Sequence, residues 1–170
     1  VLNNSTAVIV SKTHVSRIGT SDGFIRARVS IDMRNITESQ DEFRAGISVS
    51  DGVFISGFTL VVGDVPVKGR IFEKKTALWV YEMIVSALRD PGVMYYTADN
   101  KLMLRVFPFG GGETRHADVE LVYPAKSNPE LSIAGRSIVL PRDSGDGDVL
   151  VCGNSGCRTV FIPASVASRM

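Results

Sequence analysis

Histidine, tryptophan and cysteine are scarce in this chain, with two, one and two residues respectively among 170. A zinc site built on Cys152 and Cys157 would need two further ligands, and only His14 and His116 are available, which argues against a four-ligand metal centre. No run of Lys or Arg exceeds two, and 19 basic residues against 18 acidic leave a net charge of +1. Neither nucleic acid nor a membrane surface is therefore an expected partner. The longest charge-free stretch, Gly52 to Gly63, spans twelve residues, well short of the ~20 that cross a bilayer as a helix. A soluble chain without direct membrane insertion is expected. Neither an initiator methionine nor a signal peptide precedes Val1, so the expectation is a piece processed or cut from a longer protein, which leaves its compartment unknown; the lean is toward an extracytoplasmic setting, in the cell envelope or secreted, as part of that larger protein.

What the chain does have is apolar residue in quantity, 44% of the total, enough for a core in one domain of this length without covalent staples. Its pattern is almost wholly of period two. Ala27, Val29, Ile31 and Met33 alternate with Arg26, Arg28, Ser30 and Asp32, as in a half-buried strand. A short apolar run, Ala7 to Val10, suits an edge or covering strand. Phe43 to Ser50 and Val53 to Val62 flank Asp51-Gly52, which predicts a hairpin; Gly57 predicts a bulge or a close backbone approach. Val65 to Phe72 reads as one short strand and Val93 to Tyr96 as another. Residues 102 to 123, broken at Gly110-Gly111-Gly112, read as one long hairpin. Beyond a break at Pro124 to Pro129, residues 131–140 and 149–162 read as two small hairpins.

The exception is Val67 to Pro91, where Ala77, Val80, Tyr81, Ile84, Val85 and Leu88 recur at helical spacing. Pro91 disfavours helical angles at Asp90, so the helix is predicted over about residues 73–89. One amphipathic helix must bury its apolar face on something. The expected fold is mainly β, an antiparallel β-sandwich with one packed helix and C-terminal hairpins. Residues 1–124 form the main domain, and 125–170 form a hairpin appendage packed on it.

Several of these residues carry a resemblance. Phe58-Thr59-Leu60 with Gly63-Asp64, then Val67-Lys68-Gly69, Glu73-Lys74-Lys75, Ala77 and Tyr81, resemble the core motif of the VIT domain, named for vault and inter-alpha-trypsin inhibitor proteins. Leu104 to Phe109, Gly112-Glu113-Thr114 and Val119 to Tyr123 are similar to the paired strands that end that domain, where a Gly-Glu turn is followed by a strand closing on Tyr. The resemblance runs from about Phe24 to Tyr123 and implies architecture rather than catalysis. Many members continue into a von Willebrand factor A domain with an Asp-x-Ser-x-Ser metal motif. The nearest string here, Asp143-Ser144-Gly145-Asp146-Gly147, has glycines where the hydroxyls belong, which counts against metal-dependent adhesion.

No catalytic, cofactor-binding or metal-binding residue is expected. Asp143, Asp146 and Asp148 crowd a glycine-rich loop that could offer oxygens to Ca²⁺, though their spacing departs from that of an EF-hand loop. Gly110 to Gly112 could form an anion nest, but without the Lys and Ser or Thr of a phosphate loop. His14 and His116 read as surface residues. Asn4-Ser5-Thr6 and Asn35-Ile36-Thr37 match the glycosylation acceptor pattern, which is short enough to recur by chance. Cys152 and Cys157 flank a tight loop and face one another, either as a disulfide in an oxidising compartment or as reduced cross-strand thiols. Trp79 and Met83 border the polar side of the predicted helix. They are the candidate partner-binding residues; the alternative is cover by a loop or by residues 125–170. The expected function is a non-enzymatic protein-interaction or scaffolding module whose partners are other protein domains, including neighbours in its own parent chain. A loop-based binder of Ca²⁺ or a glycan is the alternative.

Overall fold

A computed structural model describes residues 4–69, 71–73, 92–143, 148–153 and 156–161. The alternating segments all become strands, in two facing sheets. In the first, the order is β1 (Val8–Ser21), β2 (Phe24–Asn35), β9 (Thr114–Pro124), β4 (Phe54–Val62) and β5 (Val65–Gly69). The second runs β11 (Arg136–Val139), β10 (Glu130–Ile133), β3 (Asp41–Val49), β8 (Lys101–Phe109), β7 (Gly92–Ala98) and β6 (Ile71–Glu73). A separate two-stranded sheet pairs β12 (Asp148–Gly153) with β13 (Gly156–Phe161).

The inward residues of both sheets merge into one core. Ile25, Ala27, Val29, Ile31 and Met33 of β2 meet Ala45 and Ile47 of β3 and Leu102, Leu104 and Val106 of β8, and all are fully enclosed. This burial is the main favourable term holding the sheets face to face. Phe43 and Phe109 add a tilted ring pair with centroids 6.4 Å apart.

Four tight turns place residues at positive φ, three of them with only Asp, Asn or Gly in that region. Asp22-Gly23, Gly63-Asp64 and Ala134-Gly135 each place both residues at positive φ and close two-residue hairpins, and Asn100 does so beside Asp99. Asn, Asp and Gly tolerate this region most readily. Gly57 lies at a register shift between β4 and β9, the predicted bulge.

Two predicted hairpins are corrected. Strands β8 and β9 lie in opposite sheets, so Gly110 to Gly112 forms an arch across the sandwich and residues 102–123 are not a hairpin. The Asp51-Gly52 turn likewise carries β3 of the second sheet into β4 of the first. Alternation says that one face of a strand is buried, and an arch satisfies it as well as a hairpin does. As a result β9, among the last strands of the first sheet in sequence, sits at its centre between β2 and β4. Val65 to Phe72 is also two strands, β5 and β6, in different sheets. Gly69 ends β5 where a Cβ would stand 2.2 Å from Cδ1 of Phe58.

Among the described residues there is no helix. Of the helix predicted over about residues 73–89, residues 74–89 lie outside the described ones, and Glu73, its expected first position, ends strand β6. Strand β1 extends far beyond the predicted run, to Ser21, and pairs along the whole of β2. The 131–140 hairpin forms as expected, and β10 also pairs with β3. Before β1, the chain is tied to the second sheet: Ser5 N–H donates to the Arg44 carbonyl at 2.7 Å and Gly46 N–H to Asn4 Oδ1 at 2.8 Å.

Candidate interaction face

The outward side of the first sheet gathers most of the polar chemistry that the structure brings together. Period-two alternation points Phe24, Arg26, Arg28, Ser30, Asp32 and Arg34 of β2 away from the core, beside Pro124, Val122, Glu120, Asp118, His116 and Thr114 of β9. The antiparallel register fixes which residues meet. Arg28 donates to Glu120 at 2.9 Å, and Ser30 Oγ to Asp118 Oδ1 at 2.5 Å. His116 lies between two carboxylates, with Nδ1 2.8 Å from Asp32 Oδ1 and Nε2 3.2 Å from Asp118 Oδ1. Lys12 and His14 on β1 are the register partners of Asp32 and Ser30.

The hydrogen bond to Asp32 raises the pKa of His116 above its ordinary 6.5, against the opposing effect of burial and with help from Asp118. A raised folded-state value means that the stabilisation is complete below the ordinary value and is lost as pH rises through the folded one. With the ring 40% exposed, the effect is screened and stays below about 1 kcal/mol. Urea denaturation of wild type and His116→Gln at intervals from about pH 5.5 to 8.5 should show a wild-type advantage that shrinks as pH rises. An advantage that grows with pH would contradict the geometry. The glutamate bond also raises the pKa of Arg28, despite the cost of desolvation.

Other sequence candidates resolve differently. The Gly110 N–H already donates to a carboxylate of the same turn, Glu113 Oε2, at 2.6 Å, and Glu113 Oε1 accepts from Arg115 Nε at 2.7 Å. The nest thus holds its own anion. Asp143 Oδ1 is paired with Arg17 at 2.8 Å, Asp148 begins β12, and Asp146 lies outside the described residues. Trp79 and Met83 also lie outside them. Cys152 and Cys157 are opposed in the β12–β13 register, as their spacing predicted, while their side chains fall outside the described part. Asn35 is fully buried, which removes it as a glycosylation acceptor in the folded protein.

Sequence reading missed the carboxylate partners of His116, which only cross-strand register can supply. It also missed Phe24 and Phe54, 44% and 63% exposed at one end of this face. A signal for Phe24 was present, since it is in phase with Arg26 and Arg28, the polar positions of its strand. Among the described residues no group of three or more His, Cys, Asp or Glu side chains is arranged to hold a metal ion, and no helix is long and apolar enough to cross a membrane.

Strand β9 follows the Gly-Glu turn and reaches Tyr123, as the resemblance implied, but β8 and β9 lie in opposite sheets and are not paired with one another. The sequence model of the Vault protein inter-alpha-trypsin domain matches residues 12–123, well over half of the chain. The chain belongs to the VIT family. The match starts twelve residues before Phe24, so the VIT domain takes in most of β1, from residue 12, and ends on Tyr123 within β9. Tyr123 is fully enclosed, and its hydroxyl donates to the Pro141 carbonyl at 2.5 Å, so chain beyond the VIT match is fastened to it. Burial pushes its phenol up to about 12, outweighing the opposing effect of Arg17. No curated protein matches the chain.

Proposed function

We propose that this VIT domain is a non-enzymatic protein-interaction module that docks other protein domains, including neighbours in its own parent chain, in an extracytoplasmic setting. One observation carries the reading: the reactive side chains that the fold assembles on one face are turned toward one another. Ser30 donates to Asp118 and not to His116, while both ring nitrogens of His116 face carboxylates. Nucleophilic catalysis needs the hydroxyl on the base. Family membership adds support, since the VIT motif is spent on architecture.

The predicted helix belongs to the same proposal. Strands β6 and β7 pair in parallel, which calls for a crossover of a dozen or more residues, most often helical. The periodicity of Ala77 to Leu88 suits that crossover. Val93, Tyr95 and Met103, only 4%, 6% and 8% exposed yet outside the central core, support the reading that the second sheet is covered on its outward side as well.

Affinity capture from the native source with this chain as bait, run beside a panel of ester, peptide, phosphoester and glycoside substrates, tests the reading. Specific protein partners with no turnover are expected. Turnover of any substrate that disappears in His116→Gln, with no partner captured, would overturn it.

A further inference from the structure

The outward face of the first sheet changes character at one end. Over most of its length the cross-strand neighbours are polar pairs, but where β2 begins and β9 ends the register sets Phe24 opposite Pro124, and Val122 between Arg26 and Phe54. Phe24 and Phe54 are 44% and 63% exposed although both lie in paired strands rather than in loops. Their backbones are already fixed by the ladders, so covering them costs little ordering entropy, the circumstance in which exposed aromatics contribute most to binding. An apolar strip of this kind on an otherwise polar sheet marks a contact site.

The charge beside the strip selects the occupant. Arg28 and Arg26 both turn to Glu120, at 2.9 Å and 3.9 Å, so two guanidinium groups share one carboxylate. Arg26 is the more weakly held and the more exposed, at 56%. The strip is therefore edged by surplus positive charge. A second copy laid strip to strip would bring another Arg26 and Arg28 with a single Glu120 to the contact, the same excess of guanidinium over carboxylate and no complementary acid. A polypeptide carrying a carboxylate next to a large apolar side chain complements both features.

We propose that Phe24, Phe54, Val122 and Pro124, with Arg26 at their border, form the docking site for an acidic-apolar segment of a partner protein. The apolar side chain covers the two phenylalanines, and the carboxylate pairs with the Arg26 guanidinium. This rests on the interaction-module reading and specifies its surface.

The test is selection of a phage-displayed random peptide library against the folded chain. Its two aromatic targets lie outside the core, so Phe24→Ser/Phe54→Ser and Arg26→Glu should retain the wild-type circular dichroism and a cooperative urea transition. Enriched peptides are expected to carry Asp or Glu within a few residues of an aromatic or large aliphatic side chain. Synthetic versions should bind at least about tenfold more weakly to each variant. Replacing the peptide acid by lysine should restore affinity for Arg26→Glu. Peptides without an acidic residue, or equal binding to the double phenylalanine variant, would overturn the proposal, as would self-association in sedimentation that Phe54→Ser abolishes. If captured native partners bind the double variant as tightly as wild type, this surface fails and the interaction reading stands. If neither peptides nor partners bind, both fail.

Discussion

Exchanging Asn35 for aspartate is expected to remove about 3–5 kcal/mol of folding stability, a large share of the 5–15 kcal/mol typical of a domain. Asn35 is the one polar residue among the described residues that is fully buried. Its amide uses both of its chemical halves. Nδ2 donates to the carbonyls of Ser39 at 2.7 Å and Phe109 at 3.3 Å, and Oδ1 accepts from the N–H and hydroxyl of Thr37 at 3.0 and 2.8 Å. An aspartate keeps the second pair and loses the first, since it has no donor when ionised. It would also hold a negative charge against two carbonyl oxygens out of reach of water. Proton uptake relieves that charge, so the deficit of Asn35→Asp should narrow as pH falls. Urea denaturation at neutral and acid pH measures both effects. A loss under about 1 kcal/mol would show that this amide does not hold the corner where β2 ends.

The second large effect is expected at Gly111, through space rather than backbone conformation. A Cβ there would stand 2.2 Å from the carbonyl oxygen of Glu38, 2.5 Å from its carbon and 2.8 Å from its Cα. All three atoms are backbone and cannot swing aside as a side chain could. The two loops are also sewn together, Gly112 N–H donating to the Thr37 carbonyl at 3.0 Å and Asn35 N–H to that of Glu113 at 2.9 Å. Gly111→Ala must therefore part the loops or bend the arch, at about 3 kcal/mol, the upper range for overpacking. Gly112→Ala is the control. Gly112 has φ of +70° but nothing within 4 Å of an added Cβ, so it should cost only about 1–2 kcal/mol. Thermal melts of the two variants should rank in that order, and the reverse order would deny the close approach at Gly111.

These two residues show where sequence reading stops. The strand from Ala27 to Met33 was legible because each inward residue is apolar and each outward one polar, and all four inward positions are fully buried. The bulge at Gly57 was legible for a similarly local reason. Which sheet a strand joins is not local. Asp51-Gly52 has hairpin chemistry yet crosses the sandwich, and the glycines at 110–112 do the same because Gly111 must pass against Glu38. Asn35 entered the sequence reading only through the glycosylation acceptor pattern, since the carbonyls that bury it come from residues 39 and 109. Met103 broke the alternation between Leu102 and Leu104, a hint that both sides of β8 are covered. His116 was read as a surface residue, and it is half-exposed; its two carboxylate neighbours depended on pairing across strands.

The place of β9 has a bearing on how the domain comes off the ribosome. Until residue 124 has emerged, the first sheet can exist only as two detached ribbons, β1 with β2 and β4 with β5, each with a raw hydrogen-bonding flank waiting for the same missing strand. One late insertion seals both flanks at once. Nascent chains halted short of that point would thus offer the cell's chaperones two sticky margins, and those halted past it none on either side of β9.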